Sequence, residues 1–301
     1  MMSEERETNG RISGSKSRLP LSPGLYLIST PIGNARDITL RALDVLAGAD
    51  VLYAEDTRVT AKLLSLHGLN RSLQSYREHN AARVEGRILG ELAAHKVVGL
   101  VSDAGTPLIS DPGARLVRAA IEAGHHVTVV PGPSAVTAAL ALAALPVENF
   151  TFAGFLSAKP NERRREIARF TLVPTTLLFF ESPNRLAATL ADLAAILGDR
   201  PAAVARELTK LHEELRRGSL AALSAHYQAA GAPRGEIVIV VAPPSEERVD
   251  AGKGASLDQR ILDELSSRPV KEAAAIVAGQ LGLPRRAVYA RALELKSERT
   301  K

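Results

Sequence analysis

The chain contains no cysteine. That excludes disulfide staples, thiolate nucleophiles and Cys-ligated zinc, and its seven histidines are scattered without ligand spacing, so no metal site is expected. No apolar run approaches the length needed to cross a bilayer. Residues 1–22 are polar, with Arg, Lys, Glu and Ser but without the apolar segment of a secretory signal, and they read as a disordered tail. A cytoplasmic protein without a membrane partner is the expectation. The common nucleotide fingerprints are missing too: no GxGxxG follows the first apolar run, and Gly252-Lys253-Gly254 lacks the flanking Gly and Ser/Thr of a P-loop. A phosphate-cradling NTPase is therefore disfavoured.

What is present is a repeated pattern of apolar runs closed by turns of small residues. Leu25–Ser29 leads into Thr30-Pro31-Ile32-Gly33-Asn34, Val97–Val101 into Ser102-Asp103-Ala104-Gly105-Thr106-Pro107, and Val127–Val130 into Pro131-Gly132-Pro133-Ser134-Ala135. Open α/β sheets bind ligands at the carboxyl ends of their strands, and small residues there allow close main-chain approach, so the three turns are expected to share one pocket.

With 301 residues and 46% hydrophobic content the chain can build more than one core. Residues 23–146 alternate short Val/Ile/Leu runs with amphipathic stretches, which predicts βαβ units on a mainly parallel sheet. Helices are expected over Leu40–Leu46, Arg58–Leu66, Ala81–Ala94 and Ala114–Ala123, with another starting at Ser134. Pro146 breaks the pattern, and residues 147–243 read as a second α/β domain with some antiparallel pairing, although Thr209–Arg217 is ambiguous. A linker over 244–256 leads to a helical module over 257–301. Its last two helices are joined by Gly282-Leu283 with Pro284 at the entry, a helix-turn-helix spacing that presents Arg285 and Arg286 early in the final helix.

The balance of 38 Lys+Arg against 33 Asp+Glu permits a polyanionic partner. Three concentrations stand out: Arg163-Arg164-Arg165 with Arg169, Arg216-Arg217, and Arg285-Arg286 with Arg291, Lys296, Arg299 and Lys301. Each is also explained by a solvated helix face. Together they point toward nucleic acid.

Seven ordered motifs carry a resemblance. Thr30-Pro31-Ile32-Gly33-Asn34, Ala54-Glu55-Asp56-Thr57-Arg58, the run Ser102–Pro107 with Asp111-Pro112-Gly113, Pro131–Ala135, Gly154-Phe155-Leu156, Phe180-Glu181-Ser182-Pro183 and Arg206-Glu207-Leu208-Thr209-Lys210 resemble the 16S rRNA (cytidine 2′-O) methyltransferases of the tetrapyrrole methylase superfamily. The resemblance implies a homodimer of two α/β domains that binds S-adenosylmethionine in an interdomain cleft. It further implies a cytidine in the decoding region of 16S rRNA, free or in the small ribosomal subunit, as substrate.

Carried over by motif, Ile32, Gly33, Val101, Ser102, Asp103, Thr106, Ser134 and Ala135 should contact the cofactor, with Phe180 and Glu181 closing the other side. Ser157 stands where Pro is common in the family, which bears on the rigidity of that loop. A neutral hydroxyl needs a base. Asp56 is the first candidate, with Glu55 and Glu181 as rivals; an N-cap on the following helix, paired with Arg58, explains Asp56 equally well. Asp103 is expected to orient cofactor. Arg58 and Lys159 could hold phosphates or the target ribose, and surface ion pairs are the alternative. Arg285, Arg286 and Arg291 are the candidate RNA contacts of the tail. Rival readings are a precorrin-type or diphthine-type methyltransferase, which needs no basic tail, and a ligand-sensing DNA-binding regulator.

Overall fold

A computed structural model describes residues 21–245, 257–266, 268–281 and 283–298. Almost all of the expected polar tail and linker, together with Gly282, Arg299 and Lys301, lies outside the described residues. Two compact units divide between Ser134 and Ala135.

The first unit is built on strands β1 (Gly24–Ile28), β2 (Val51–Ala54), β3 (Leu73–Ser75), β4 (Val97–Val101) and β5 (Val127–Val130). All pair in parallel, in the order β3-β2-β4-β1-β5. The chain leaves β1 to one side, past β4, to reach β2, and leaves β4 to the other side, past β1, to reach β5. Their carboxyl ends therefore flank a topological switch point, where such sheets bind ligands. Helices α1 (Leu40–Gly48), α2 (Thr57–Leu66), α3 (Ala81–Ala93) and α4 (Ala114–Glu122) cover the sheet. The buried side chains of α1 and α2, such as Val45, Leu46 and Leu64, join one core cluster with Ile28 and Leu52. Those of α3 and α4, such as Ile88, Leu92 and Leu116, join another with Leu25, Tyr53 and Val98. Alternation along each strand sends neighbours to opposite faces, which explains why β4 is buried throughout.

Local chemistry sets the helix limits. Thr39 Oγ1 accepts from the Ala42 N–H at 3.1 Å and opens α1. Gly68, at φ +69°, closes α2: its N–H donates to the Ser65 carbonyl and that of Leu69 to the Leu64 carbonyl, a Schellman arrangement. The short edge strand β3, Leu-Gln-Ser, carries no apolar run and has no counterpart among the sequence expectations.

The second unit opens with α5 (Ala135–Ala143), whose buried face packs against β8 (Pro201–Arg206) and β10 (Ile237–Val241). For that reason the division falls at Ser134, earlier than the expected boundary after residue 146. The sheet is completed by β6 (Phe150–Phe155), β7 (Thr176–Glu181) and β9 (Glu214–Ser219), in the order β6-β7-β10-β8-β9. Only β6 and β7 run parallel; the other pairings are antiparallel. The ambiguous 209–217 segment resolves into a loop and the charged edge strand β9, where Glu214 lies opposite Arg206 and pairs with it at 2.8 Å. Charge on an edge strand hides its period and blocks further pairing.

Helices α6 (Pro160–Ala168), α7 (Leu186–Leu197) and α8 (Leu220–Ala230) complete this unit's sheet layer, and Leu190, Leu193 and Leu220 pack with Phe179, Val204 and Ile239. Residues 257–265 form a helix, α9, followed by α10 (Val270–Leu281) and α11 (Arg285–Glu298), with a core of Ile261, Val270, Val277, Val288 and Leu295.

Arg163, first of the basic run on α6, is only 5% exposed and its guanidinium reaches Asp192 of α7, itself 6% exposed, at 2.6 Å. Arg164 takes the other carboxylate oxygen at 2.8 Å. Asp192→Ala would leave Arg163 buried without a counter-charge, and loss of one member of such a pair destabilises by about 3–5 kcal/mol. Chemical denaturation should report a loss of that size, with a much smaller one for Arg164→Ala.

Candidate active site

Parallel register brings the carboxyl ends of β1, β2 and β4 to one edge: Ile28 and Ala54 both align with Val101. The loops that follow are tied to one another. Thr30 and Gly105 form a two-way backbone bridge, with N···O distances of 2.9 and 3.0 Å, and Thr30 Oγ1 donates to the Ser102 carbonyl at 2.9 Å. Gly105 sits at φ +79°, in the region that favours glycine, and a Cβ there would meet Ile32 Cγ2 at 3.4 Å and the Pro133 carbonyl oxygen at 3.7 Å. Gly132 is needed for a different reason: a Cβ would come within 2.9 Å of Ser29 Cβ. The three turns thus converge within the first unit. Their exposed small residues, Gly33, Ala104 and Gly132, line the sheet edge.

The second loop carries two non-glycine residues in the left-handed region, Leu108 at φ +70° and Ser110 at φ +68°. Such conformations cost of order 1–3 kcal/mol each and cluster at functional sites. Nothing in the residue types of Leu108 and Ser110 announces this.

The site is rich in carboxylates. Asp103 Oδ1 accepts from the Asp56 N–H at 2.9 Å, joining the β4 loop to the β2 loop. Ser102 donates to Asp111 Oδ2 at 2.6 Å. Glu55, Tyr76, Ser102 and Asp111 are among the residues around a cavity of about 10 Å³, space for a single water. Burial, above all, pushes the carboxyls of Glu55, Asp103 and Asp111 upward, and repulsion adds to it, from Asp111 and Asp103 on Glu55, from Asp56 on Asp103 and from Asp103 on Asp111. Arg77, absent from the sequence expectations, donates through Nε to the Glu55 carbonyl at 2.8 Å and faces Asp56 Oδ2 at 3.6 Å. Its own N–H donates to Asn80 Oδ1 at 2.8 Å, and the Asn80 side chain makes no capping bond to the start of α3.

Asp56 caps α2, accepting from the Arg58 N–H at 2.9 Å, and also binds the Arg58 side chain at Nε (2.9 Å) and Nη2 (2.5 Å). Hydrogen bonding to Arg58 holds its carboxyl well below the usual range. A carboxylate so occupied is a poor proton acceptor. Arg58 itself projects into solvent, its side chain 85% exposed.

Phe180, Glu181 and Lys159 belong to the second unit. Phe180 packs edge-to-face with Phe152 and Phe155, ring centroids 4.8 and 5.5 Å away. Glu181 is 2% exposed and saturated: it accepts from the Ser182 N–H at 2.6 Å, Arg185 Nε at 2.8 Å and Thr189 Oγ1 at 2.6 Å. These bonds give it the work of anchoring the β7–α7 connection, and the catalytic role expected for it finds no free oxygen. Lys159 is exposed and paired with Glu162 at 2.9 Å.

Most arginines of the basic clusters have intramolecular partners. Arg217 donates to the carbonyls of Ala143, at 3.2 Å, and Leu142, capping the end of α5. Arg291, expected to contact RNA, is instead clamped to Asp258 of α9 at 2.8 and 2.7 Å and to Glu294 at 2.7 Å. Two-pronged pairing of this kind fixes the helices of the module together. Arg285 and Arg286 remain exposed at the start of α11.

Comparison with known proteins agrees with this architecture. The family model of tetrapyrrole (corrin/porphyrin) methylases matches residues 24–224, and that of the RsmI C-terminal HTH domain matches residues 253–296. A cobalt precorrin-4 methyltransferase shares the fold, with TM-score 0.56 at 19% identity over 72% of this chain and 94% of that one. So does a Thermus thermophilus uroporphyrin-III C-methyltransferase solved with S-adenyl homocysteine, TM-score 0.52 at 20% identity over 73% and 97%. Fold and family model together define a methyltransferase of the tetrapyrrole methylase class.

Full-length relatives narrow this. Ribosomal RNA small subunit methyltransferase I of Mesorhizobium japonicum is 48% identical over 92% of this chain and 94% of its own length, and that of Neisseria meningitidis serogroup B is 42% identical over 91% and 94%. The chain belongs to the ribosomal RNA small subunit methyltransferase I family.

Asp111 offers a test of the electrostatics. Because its folded-state carboxyl is raised, its ionised form opposes folding at neutral pH, and that penalty is lifted as pH falls through the raised value. Asp111→Asn should raise the melting temperature at pH 7 and diminish the stabilisation gained as pH falls from neutrality to the ordinary carboxylate range. Thermal melts across that range measure both effects.

Proposed function

We propose that the chain transfers a methyl group from S-adenosylmethionine to the 2′-hydroxyl of a cytidine in the decoding region of 16S rRNA, acting in the cytoplasm as a homodimer. The observation that carries this reading is a likeness of 48% identity over 92% of the chain and 94% of that relative, with family models matching residues 24–224 and 253–296. Among the described residues no helix is long and apolar enough to cross a membrane.

The residues at the sheet edge fit the cofactor. Gly105 and Gly132 keep the loops close-packed, and exposed Gly33, Ala104 and Gly132 leave main chain open to a ligand. Asp103 engages Asp56 through Oδ1 only, which leaves Oδ2 for a donor of the ligand. Ile32, Gly33, Val101, Ser102, Asp103, Thr106, Ser134 and Ala135 would hold the cofactor, with Phe180 completing the set. When bound, S-adenosylmethionine supplies an electrophilic methyl group on a sulfonium. The chain's own task is to orient the ribose oxygen in line with that methyl, and positioning of this kind contributes up to about 7–11 kcal/mol.

Arg58, held in one orientation by Asp56, presents a guanidinium suited to an RNA phosphate, and Lys159 is a second such group. Arg285 and Arg286 add phosphate contacts from the module.

Mass-spectrometric mapping of ribose methylation in rRNA from cells with and without the gene tests the reading directly. One cytidine 2′-O-methyl group should vanish from 16S rRNA, and unchanged rRNA would refute it. The tail is tested by binding against salt. Arg285→Ala and Arg286→Ala should each lower the log–log slope by about 0.7 to 0.9, the amount expected per phosphate contact. Arg291→Ala should instead loosen the module, measured as earlier proteolysis at the tail.

A further inference from the structure

We propose that Glu55 is the group that accepts the ribose proton during methyl transfer, an inference resting on the reading of the chain as a ribose methyltransferase. Glu55 directly follows β2, at the sheet edge where the three turns converge. Its main chain is pinned from two sides, by Arg77 Nε on its carbonyl at 2.8 Å and by Asp103 on the next N–H at 2.9 Å. Among the described residues no hydrogen bond engages its carboxylate, and Glu55 stands with Tyr76, Ser102 and Asp111 around the small cavity.

The competing carboxylates all have hydrogen-bond partners of their own. Both oxygens of Asp56 bind Arg58, with Arg77 nearby, so taking up a proton there would break a charge-assisted pair. Glu181 is buried and fully hydrogen-bonded within its own unit. Asp103 holds the Asp56 N–H through Oδ1, its other oxygen being the one assigned to the cofactor, and Asp111 accepts from Ser102 through Oδ2.

The surroundings of Glu55 also suit a base. Burial, Asp111, Asp103 and Asp56 push its carboxyl upward, which strengthens its hold on a proton, while Arg77 opposes them and favours the ionised form that must act. In the step itself the ribose O–H bond breaks and its proton passes to a Glu55 oxygen. An O–CH3 bond forms as the S–CH3 bond breaks, and that electron pair stays on sulfur, leaving a neutral thioether. Release of the proton to water resets the carboxylate.

The test compares wild type with Glu55→Gln, Glu55→Asp, Asp56→Asn and Arg77→Met, using small-subunit rRNA and S-adenosylmethionine. Glu55→Gln should lower kcat by 10²–10⁴-fold, the range for a lost general base, while calorimetry shows cofactor affinity kept. Glu55→Asp should fall between. Arg77→Met should move the acidic limb of the kcat–pH profile upward, and 13C NMR of the cofactor-free protein should show the Glu55 carboxyl titrating higher by the same shift. Asp56→Asn should keep turnover and move that limb slightly downward, because one of the charges that raise Glu55 is removed. If wild type methylates and Glu55→Gln matches its kcat, or if Asp56→Asn instead loses kcat by the 10²–10⁴-fold expected of a lost base, the assignment is overturned alone. If wild type methylates no ribose, the functional reading falls and the assignment with it.

Discussion

The backbone bridge between Thr30 and Gly105 is the contact on which the candidate site depends. It joins the turns after two adjacent parallel strands, and it exists only because Gly105 adopts φ +79°. From it the remaining links follow in sequence across the sheet edge: Thr30 Oγ1 to the Ser102 carbonyl, Ser102 to Asp111, Asp103 to the Asp56 N–H, and Arg77 to the Glu55 carbonyl. Each link orders one loop against the next. The entropy of ordering these loops is therefore met during folding and not during ligand binding.

That order carries an electrostatic penalty. Glu55, Asp103 and Asp111 crowd one end of the sheet, two of them lining the same small cavity, and burial works against their ionisation. Sites kept at this disadvantage trade stability for chemistry. Elsewhere the charges are spent on structure: Arg163 with Asp192, Arg206 with Glu214, Arg217 on the end of α5 and Arg291 with Asp258 all fasten elements together. The excess of positive charge is real, but clustering in the chain overstates how much of it faces a partner.

The two α/β layers were legible because apolar runs and helical periods are local signals. Val97–Val101 and Val127–Val130 are strands over the very residues that their composition suggests. The strands without such signals, Leu73–Ser75 and Glu214–Ser219, are an edge of three residues and a charged edge, which pairing alone creates. The limit between the compact units differs from the one that local signals suggest. Pro146 is a conspicuous break, yet α5 before it buries Val136, Ala139 and Leu140 on the second sheet.

The sequence by itself determined the fold class, the convergence of three small-residue turns on one sheet edge and the family resemblance, because glycines, prolines and hydrophobic spacing act through the backbone near them. Only the tertiary structure decided which charged groups remain free to do chemistry. Asp56 and Glu55 are neighbours in the chain, but one is locked by Arg58 while the other shares a small cavity with Asp111, more than fifty residues on. Arg291, a candidate phosphate contact by its place in the chain, is paired across the module with Asp258, 33 residues earlier. A side chain's basicity is set by what packs against it, and packing partners come from elsewhere in the chain.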